Sequence, residues 1–162
     1  MLSDTEIARK FWKSLKSDRT FMLGLTGELT GDAQPMTANM EQDESGPIWV
    51  FTSKDTDFAH ALGPAAHLAI GQFASKGHDL FATFHGELVV NQDRAVINRL
   101  WNPFIAAWYS GKDDPKLLLL RFDVSHAHIW LNETSLFAGV KVMFGADPKN
   151  DHKDKTADIA FT

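Results

Sequence analysis

The segment HLAIGQFASKGHDLFATFHGELVV, residues 67–90, decides the fold class. Its two arms, His67 to Phe73 and Leu80 to Val90, read as strands, and only Ser75-Lys76-Gly77-His78-Asp79 with one flanking residue separates them. A parallel pair needs a crossover of a dozen or more residues, so this pair runs antiparallel. Downstream, Asp93 is placed to cap a helix in which Val96, Ile97, Leu100 and Trp101 keep the helical period. Asn102-Pro103 restarts it, with proline at the first helical position, and the second piece is expected to run to about Tyr109 and stop at Ser110-Gly111. Leu117 to Val124 and His126 to Leu131 read as two further strands.

Upstream, a short helix is expected from about Asp55 to Leu62, ended by Gly63-Pro64. Ile48 to Thr52 is a well-buried strand, Glu41 to Gly46 an acidic loop, and Met36, Ala38 and Met40 alternate as a strand. Phe21, Leu23 and Leu25 form the strand before it, across a turn from Gly27 to Asp32. Ser3 and Glu6 have capping-box spacing ahead of Ile7, Phe11, Trp12 and Leu15, which predicts an amphipathic helix over 4–17. Near the C-terminus, Leu136, Phe137, Val140 and Phe144 fit a helix better than a strand, 147–155 reads as a charged loop, and Ala157, Ile159 and Phe161 alternate as a closing strand. Seven or eight strands with four short helices, not regularly alternating, predict a mainly β antiparallel barrel with peripheral helices.

Composition narrows the function. A chain of 162 residues buries about 70% of its extended surface on folding, enough for one self-sufficient core. With no cysteine, disulfides, thiolate metal sites and cysteine nucleophiles are excluded. A net charge of −5 without a basic cluster argues against nucleic acid. The longest apolar run is six residues, Phe104 to Tyr109, and the first residues lack a secretory pattern, so the expectation is a cytoplasmic protein without a membrane span. Nucleotide-binding glycine loops, nucleophile elbows and HExxH are all missing. His126 and His128 share a strand face and could both ligate a metal. The alternative is a solvent-side pair opposite inward Ala127, Ile129 and Leu131. No carboxylate or histidine cluster accompanies them at ligand spacing, so no metal is assigned.

Two features point to a ligand. Phe51-Thr52-Ser53-Lys54 offers hydroxyls, free amides and a cation at a strand end, a set suited to phosphate. Trp101 and Trp108, seven apart, would share one face of a continuous helix, as core or dimer packing or as a cofactor wall.

Taken in order, several strings carry a resemblance: Gln34-Pro35-Met36-Thr37, Ile48 to Ser53, His85-Gly86-Glu87 through Asp93-Arg94 to Leu100-Trp101-Asn102-Pro103, Ala107-Trp108-Tyr109, and Phe144-Gly145-Ala146-Asp147-Pro148-Lys149. From Arg19 to Phe161 the chain resembles the general stress protein branch of the pyridoxamine 5′-phosphate oxidase-like, FMN-binding split-barrel superfamily. The resemblance implies one split-barrel domain over 1–162, with 134–162 packed on the barrel, forming a homodimer with two FMN sites at its interface. It implies flavin contacts from Gln34, Pro35, Met36 and Thr37, from Phe51, Thr52, Ser53 and Lys54, and from Lys76 and Trp108, the last two supplied across the dimer. It further implies a flavin-dependent oxidoreductase using NAD(P)H, or else a non-catalytic store for flavin or another planar ligand. No residue is assigned as a catalytic acid or base. The only arginine beyond residue 100 is Arg121, so a pyridoxamine phosphate oxidase proper is not expected. Two positions depart from the family pattern: Gln34 stands where arginine is usual, and Phe58 is the nearest match to a usual lysine. Lys54, Lys76 and Arg19 are the cations available to replace them.

Overall fold

The Leu-rich run at Leu117 organises the molecule, because its residues are buried on both faces. Leu118, Leu120 and Phe122 enter the main core, while Leu117 and Leu119 face a second apolar cluster with Trp49, Val96 and Ile97. A strand covered on both sides reads as a continuous apolar run instead of an alternation. In the computed structural model, which describes residues 2–27, 31–132 and 156–161, this run begins a 15-residue strand, β6, Leu117–Leu131.

The described elements are α1 (Asp4–Asp18), β1 (Thr20–Leu25), β2 (Gln34–Thr37), β3 (Ile48–Ser53), α2 (Asp57–Leu62), β4 (His67–Ala74), β5 (Leu80–Val90), α3 (Arg94–Leu100), α4 (Pro103–Ala106), β6 and β7 (Thr156–Ala160). All pairings are antiparallel and follow the order β2-β1-β4-β5-β6-β3, with β7 also on β6. The two ends of that path meet at one bridge, Asn39 with Trp49, whose two backbone hydrogen bonds measure 2.9 and 2.7 Å. The sheet therefore rolls into a barrel whose β2–β3 seam is stitched at a single pair. This is the mainly β split barrel expected. The split lies along β6, which pairs β5 on one edge over Leu120–Leu131 while its other edge pairs β3 over Leu117–Phe122 and β7 over His126–Trp130.

Helix α1 starts at the predicted capping box, with Ser3 and Glu6 bonding reciprocally. It buries Ile7, Phe11, Trp12 and Leu15 against the barrel, Phe11 lying 5.2 Å from Phe84 ring to ring. Phe84 in turn lies over Gly71 of β4, where a Cβ would come within 2.2 Å of its ring.

Three expectations need correction. The two strands placed at 117–124 and 126–131 are one. Between them the register slips at His85/Gly86, leaving Ser125 as the extra residue of a bulge, so the inward set changes from Leu118, Leu120 and Phe122 to Ala127, Ile129 and Leu131. The proline-started helix ends at Ala106 and not near Tyr109. Consequently Trp101 and Trp108 do not share a helix face: Trp101 is the half-buried C-cap of α3, whereas Trp108 is 84% exposed. The readings of 134–144, 147–155 and the Phe144 to Lys149 string lie outside the described residues, and the turn at Gly27 to Asp32 does so in part.

Candidate functional site

Along the open seam, β2 and the end of β3 face each other across a cleft of about 440 Å³, within the usual range for small-molecule sites. One wall is Gln34, Pro35, Met36 and Thr37; the other is Phe51, Thr52 and Ser53. Local chemistry shapes the second wall. Thr56 caps α2 by accepting from the Ala59 N–H at 3.1 Å, while its hydroxyl donates to the Ser53 carbonyl at 3.0 Å. That turn leaves Thr52, 9% exposed, lining the cleft, its backbone in the ladder with Leu118 and its hydroxyl without a hydrogen-bond partner among the described residues.

The corner between α3 and α4 forms the mouth. Asn102 accepts from the Ile105 N–H at 2.9 Å and turns the chain so that Phe104 and Trp108, 78% and 84% exposed, stand at the rim. Behind them Phe51 meets Trp101 edge-on at 6.3 Å, and Trp101 packs 6.4 Å from Tyr109. Burial, and secondarily Asp114, push the Tyr109 phenol up to about 12, so it stays a neutral donor. Asn39 lines the cleft too, but its amide is committed to the carbonyls of Thr37 and Trp49 at 3.3 Å each.

Eight of the ten residues expected at a ligand site thus come together: Gln34 to Thr37, Phe51 to Ser53, and Trp108. Lys54 does not line this cleft, and Lys76, expected from a partner subunit, lies away from the cleft of its own chain. The Lys54 N–H bonds the Lys116 carbonyl at 2.8 Å, and the Lys76 N–H bonds Asp18 at 2.7 Å. Phe58 is 6% exposed within the barrel core, so it is not a cleft position that has lost its cation. Sequence reading missed Asn39, Thr56, Asn102, Phe104, Ile105 and Tyr109. Of these, Phe104, Ile105 and Tyr109 lie in the short apolar run Phe104 to Tyr109 and Asn102 just precedes it, whereas Asn39 and Thr56 carried no such signal. Among the described lining residues Arg19 is the only charged one, and there is no carboxylate or histidine. In a chain of net charge −5, that favours an anionic ligand with a planar apolar part.

The histidines lie elsewhere. His85 and His126 stack across β5 and β6 at 4.7 Å, and burial together with His126 holds His85 below the ordinary histidine range. His128 bonds Asp158 of β7. Among the described residues no three His, Asp or Glu side chains converge as metal ligands. No helix of the described residues is long and apolar enough to cross a membrane.

Solved structures share this fold. A general stress family protein from Xanthomonas campestris pv. campestris is 58% identical with a TM-score of 0.77, covering 84% of this chain and 94% of that one. The general stress FMN/FAD binding protein of Xanthomonas citri is also 58% identical, with a TM-score of 0.76 over 81% of this chain and 92% of that one. General stress protein 26 of Bacillus subtilis (strain 168) is 27% identical over 78 residues, 47% of this chain; the match spans 56% of that protein's length. The sequence model of the family described as pyridoxamine 5′-phosphate oxidase like matches residues 6–150, from within α1 to beyond β6. The chain belongs to the pyridoxamine 5′-phosphate oxidase-like family, in its general stress protein branch.

Proposed function

We propose that the protein is a cytoplasmic, homodimeric FMN-binding protein of the general stress type, acting as a flavin-dependent oxidoreductase with NAD(P)H as donor. The observation that carries this is the seam cleft: two facing strand edges, hydroxyls at one end, exposed aromatics at the mouth, and no carboxylate. A flavin mononucleotide matches that set. Its ring suits the apolar walls of Met36 and Phe51, and its phosphate suits Thr52, Ser53 and the neighbouring amides. When bound, the flavin supplies the electron chemistry. The chain's own residues bind the phosphate, orient the ring against the β2 and β3 backbone, and exclude water through Trp108 and Phe104. A partner subunit packing on those two aromatics would complete the enclosure, since single exposed rings of this size bury poorly on one protomer.

One observation favours a second reading. The described lining contains no acid or base below the Tyr109 phenol, and a store for flavin needs none. The test is the absorption spectrum of the purified protein, titration with FMN, and then NADH and NADPH oxidation. A colourless protein that fails to bind FMN at micromolar concentration refutes both readings. Binding without turnover above free flavin selects the store. Light scattering on the same sample gives the oligomeric state, and a monomer refutes the shared site.

A further inference from the structure

Four of the chain's five arginines are engaged: Arg9 with Glu44, Arg94 with Asp113, Arg99 with Glu41 and Arg121 with Asp123. The fifth, Arg19, lines the cleft, is exposed, and has no side-chain partner among the described residues. Its backbone is fully committed. The N–H caps α1 on the Leu15 carbonyl at 2.8 Å, and its carbonyl accepts from the Ala38 N–H at 2.7 Å. Its φ is 69°, the left-handed region that glycine normally occupies and that disfavours a side chain. An unpartnered guanidinium is therefore held beside the cleft by a backbone conformation that does not suit arginine. Such outliers cluster at ligand-binding positions.

Register says which end of the cleft it serves. Thr20 pairs Thr37 and Leu23 pairs Gln34, so Arg19 sits about 13 Å along β1 from the level of Gln34, at about 3.3 Å per residue. Continuing the Asn39–Trp49 bridge along the seam sets Thr37 against Phe51 and Pro35 against Ser53. Ser53, Thr56 and Gln34 thus mark one end, and Arg19 the other.

We propose that Arg19 is the residue that positions the flavin ring, its guanidinium donating to the acceptor atoms of the ring's pyrimidine edge while the phosphate lies at the Ser53 end. This rests on the flavin reading above. It assigns the one cation among the cleft's described lining residues to the ring instead of to the phosphate, so Arg19 does not substitute for the arginine missing at Gln34. A planar fork of donors matches two adjacent ring acceptors, as it matches a carboxylate.

The experiment compares FMN with riboflavin, which lacks the phosphate, by fluorescence titration of the wild type, Arg19→Gly and Arg19→Lys. Glycine suits the left-handed backbone, so an unchanged or raised melting temperature verifies that Arg19→Gly is folded. The expected result is an equal loss of affinity for both ligands, about tenfold or more, partly recovered in Arg19→Lys. The midpoint potential of bound FMN should also fall in Arg19→Gly, by about 30 mV for each tenfold loss of preference for the electron-rich form. A loss confined to FMN would move Arg19 to the phosphate and overturn the assignment. Unchanged affinity and potential would remove Arg19 from the site. A wild type that binds neither ligand would refute the flavin reading itself, before Arg19 is tested.

Discussion

Replacing Gly86 by alanine places a methyl group inside the bulge that joins β5 to β6. The added Cβ would lie 1.9 Å from the Asp123 carbonyl oxygen, 2.7 Å from its carbon and 2.8 Å from the Val124 Cα. All three are backbone atoms of the longest strand, so no flexible side chain can yield. To regain even a tight contact, β6 must retreat by about 1 Å, at the place where Ser125 already interrupts the register. Overpacking costs about 1–3 kcal/mol, and two disturbed ladder hydrogen bonds add about 1 kcal/mol each, giving about 3–5 kcal/mol. A chain of this length has about 5–15 kcal/mol in total. With a urea slope of about 2 kcal/mol per molar, the midpoint should fall by about 1.5–2.5 M, read by circular dichroism. Gly111→Ala is the control, because nothing lies within 4 Å of its would-be Cβ; its midpoint should move by less than about 0.3 M. If Gly86→Ala unfolds within that same margin, the close approach of β5 to β6 is not what the geometry says, and the reasoning fails.

Thr52→Ala should weaken FMN about tenfold and leave riboflavin unchanged in the same titrations, unlike the equal loss expected of Arg19→Gly. Equal loss for both ligands would put the phosphate elsewhere. Trp108→Ala should shift the melting temperature by under about 2 °C, since the ring is 84% exposed, yet lower FMN affinity several-fold; unchanged affinity would leave this tryptophan without a part in the site. Tyr109, raised to about 12 from 10.0 by burial and Asp114, holds its proton more tightly folded than unfolded. The stability it contributes is therefore full below pH 10 and lost as pH rises through about 12, and a spectrophotometric titration should find a tyrosinate step near pH 12 that drops towards 10 on unfolding.

The antiparallel hairpin at 67–90 was readable because length alone forbids a parallel connection, and its strands appear with nearly the expected ends. β6 was not, since a one-residue bulge reverses the alternation, and a reversal in period looks like the end of one strand and the start of another. The strings at Gln34 to Thr37 and Phe51 to Ser53 pointed to the cleft because each is contiguous. Arg19 was named only as one cation among three, its place depending on a left-handed cap and a strand register that no local pattern encodes. Phe58 shows the converse: a matched position in a short helix faces the core or the cleft according to helical phase, and here the phase buries it.

The β2–β3 seam has a consequence for how this barrel would respond to its ligand. Two strand edges that meet at one bridge leave main-chain groups of 35–37 and 51–53 without a ladder partner across the seam among the described residues, although Asn39 takes the Thr37 carbonyl and Thr56 the Ser53 carbonyl. A molecule that spans them stands in for the missing rungs and mends the wall of the barrel from within the gap. Loading would then be felt as mechanical closure. Amide exchange should slow first along those two short edges, and thermal stability should rise with the logarithm of ligand concentration. A barrel with an unfinished seam would, in this sense, be completed as a fold by the flavin proposed for it.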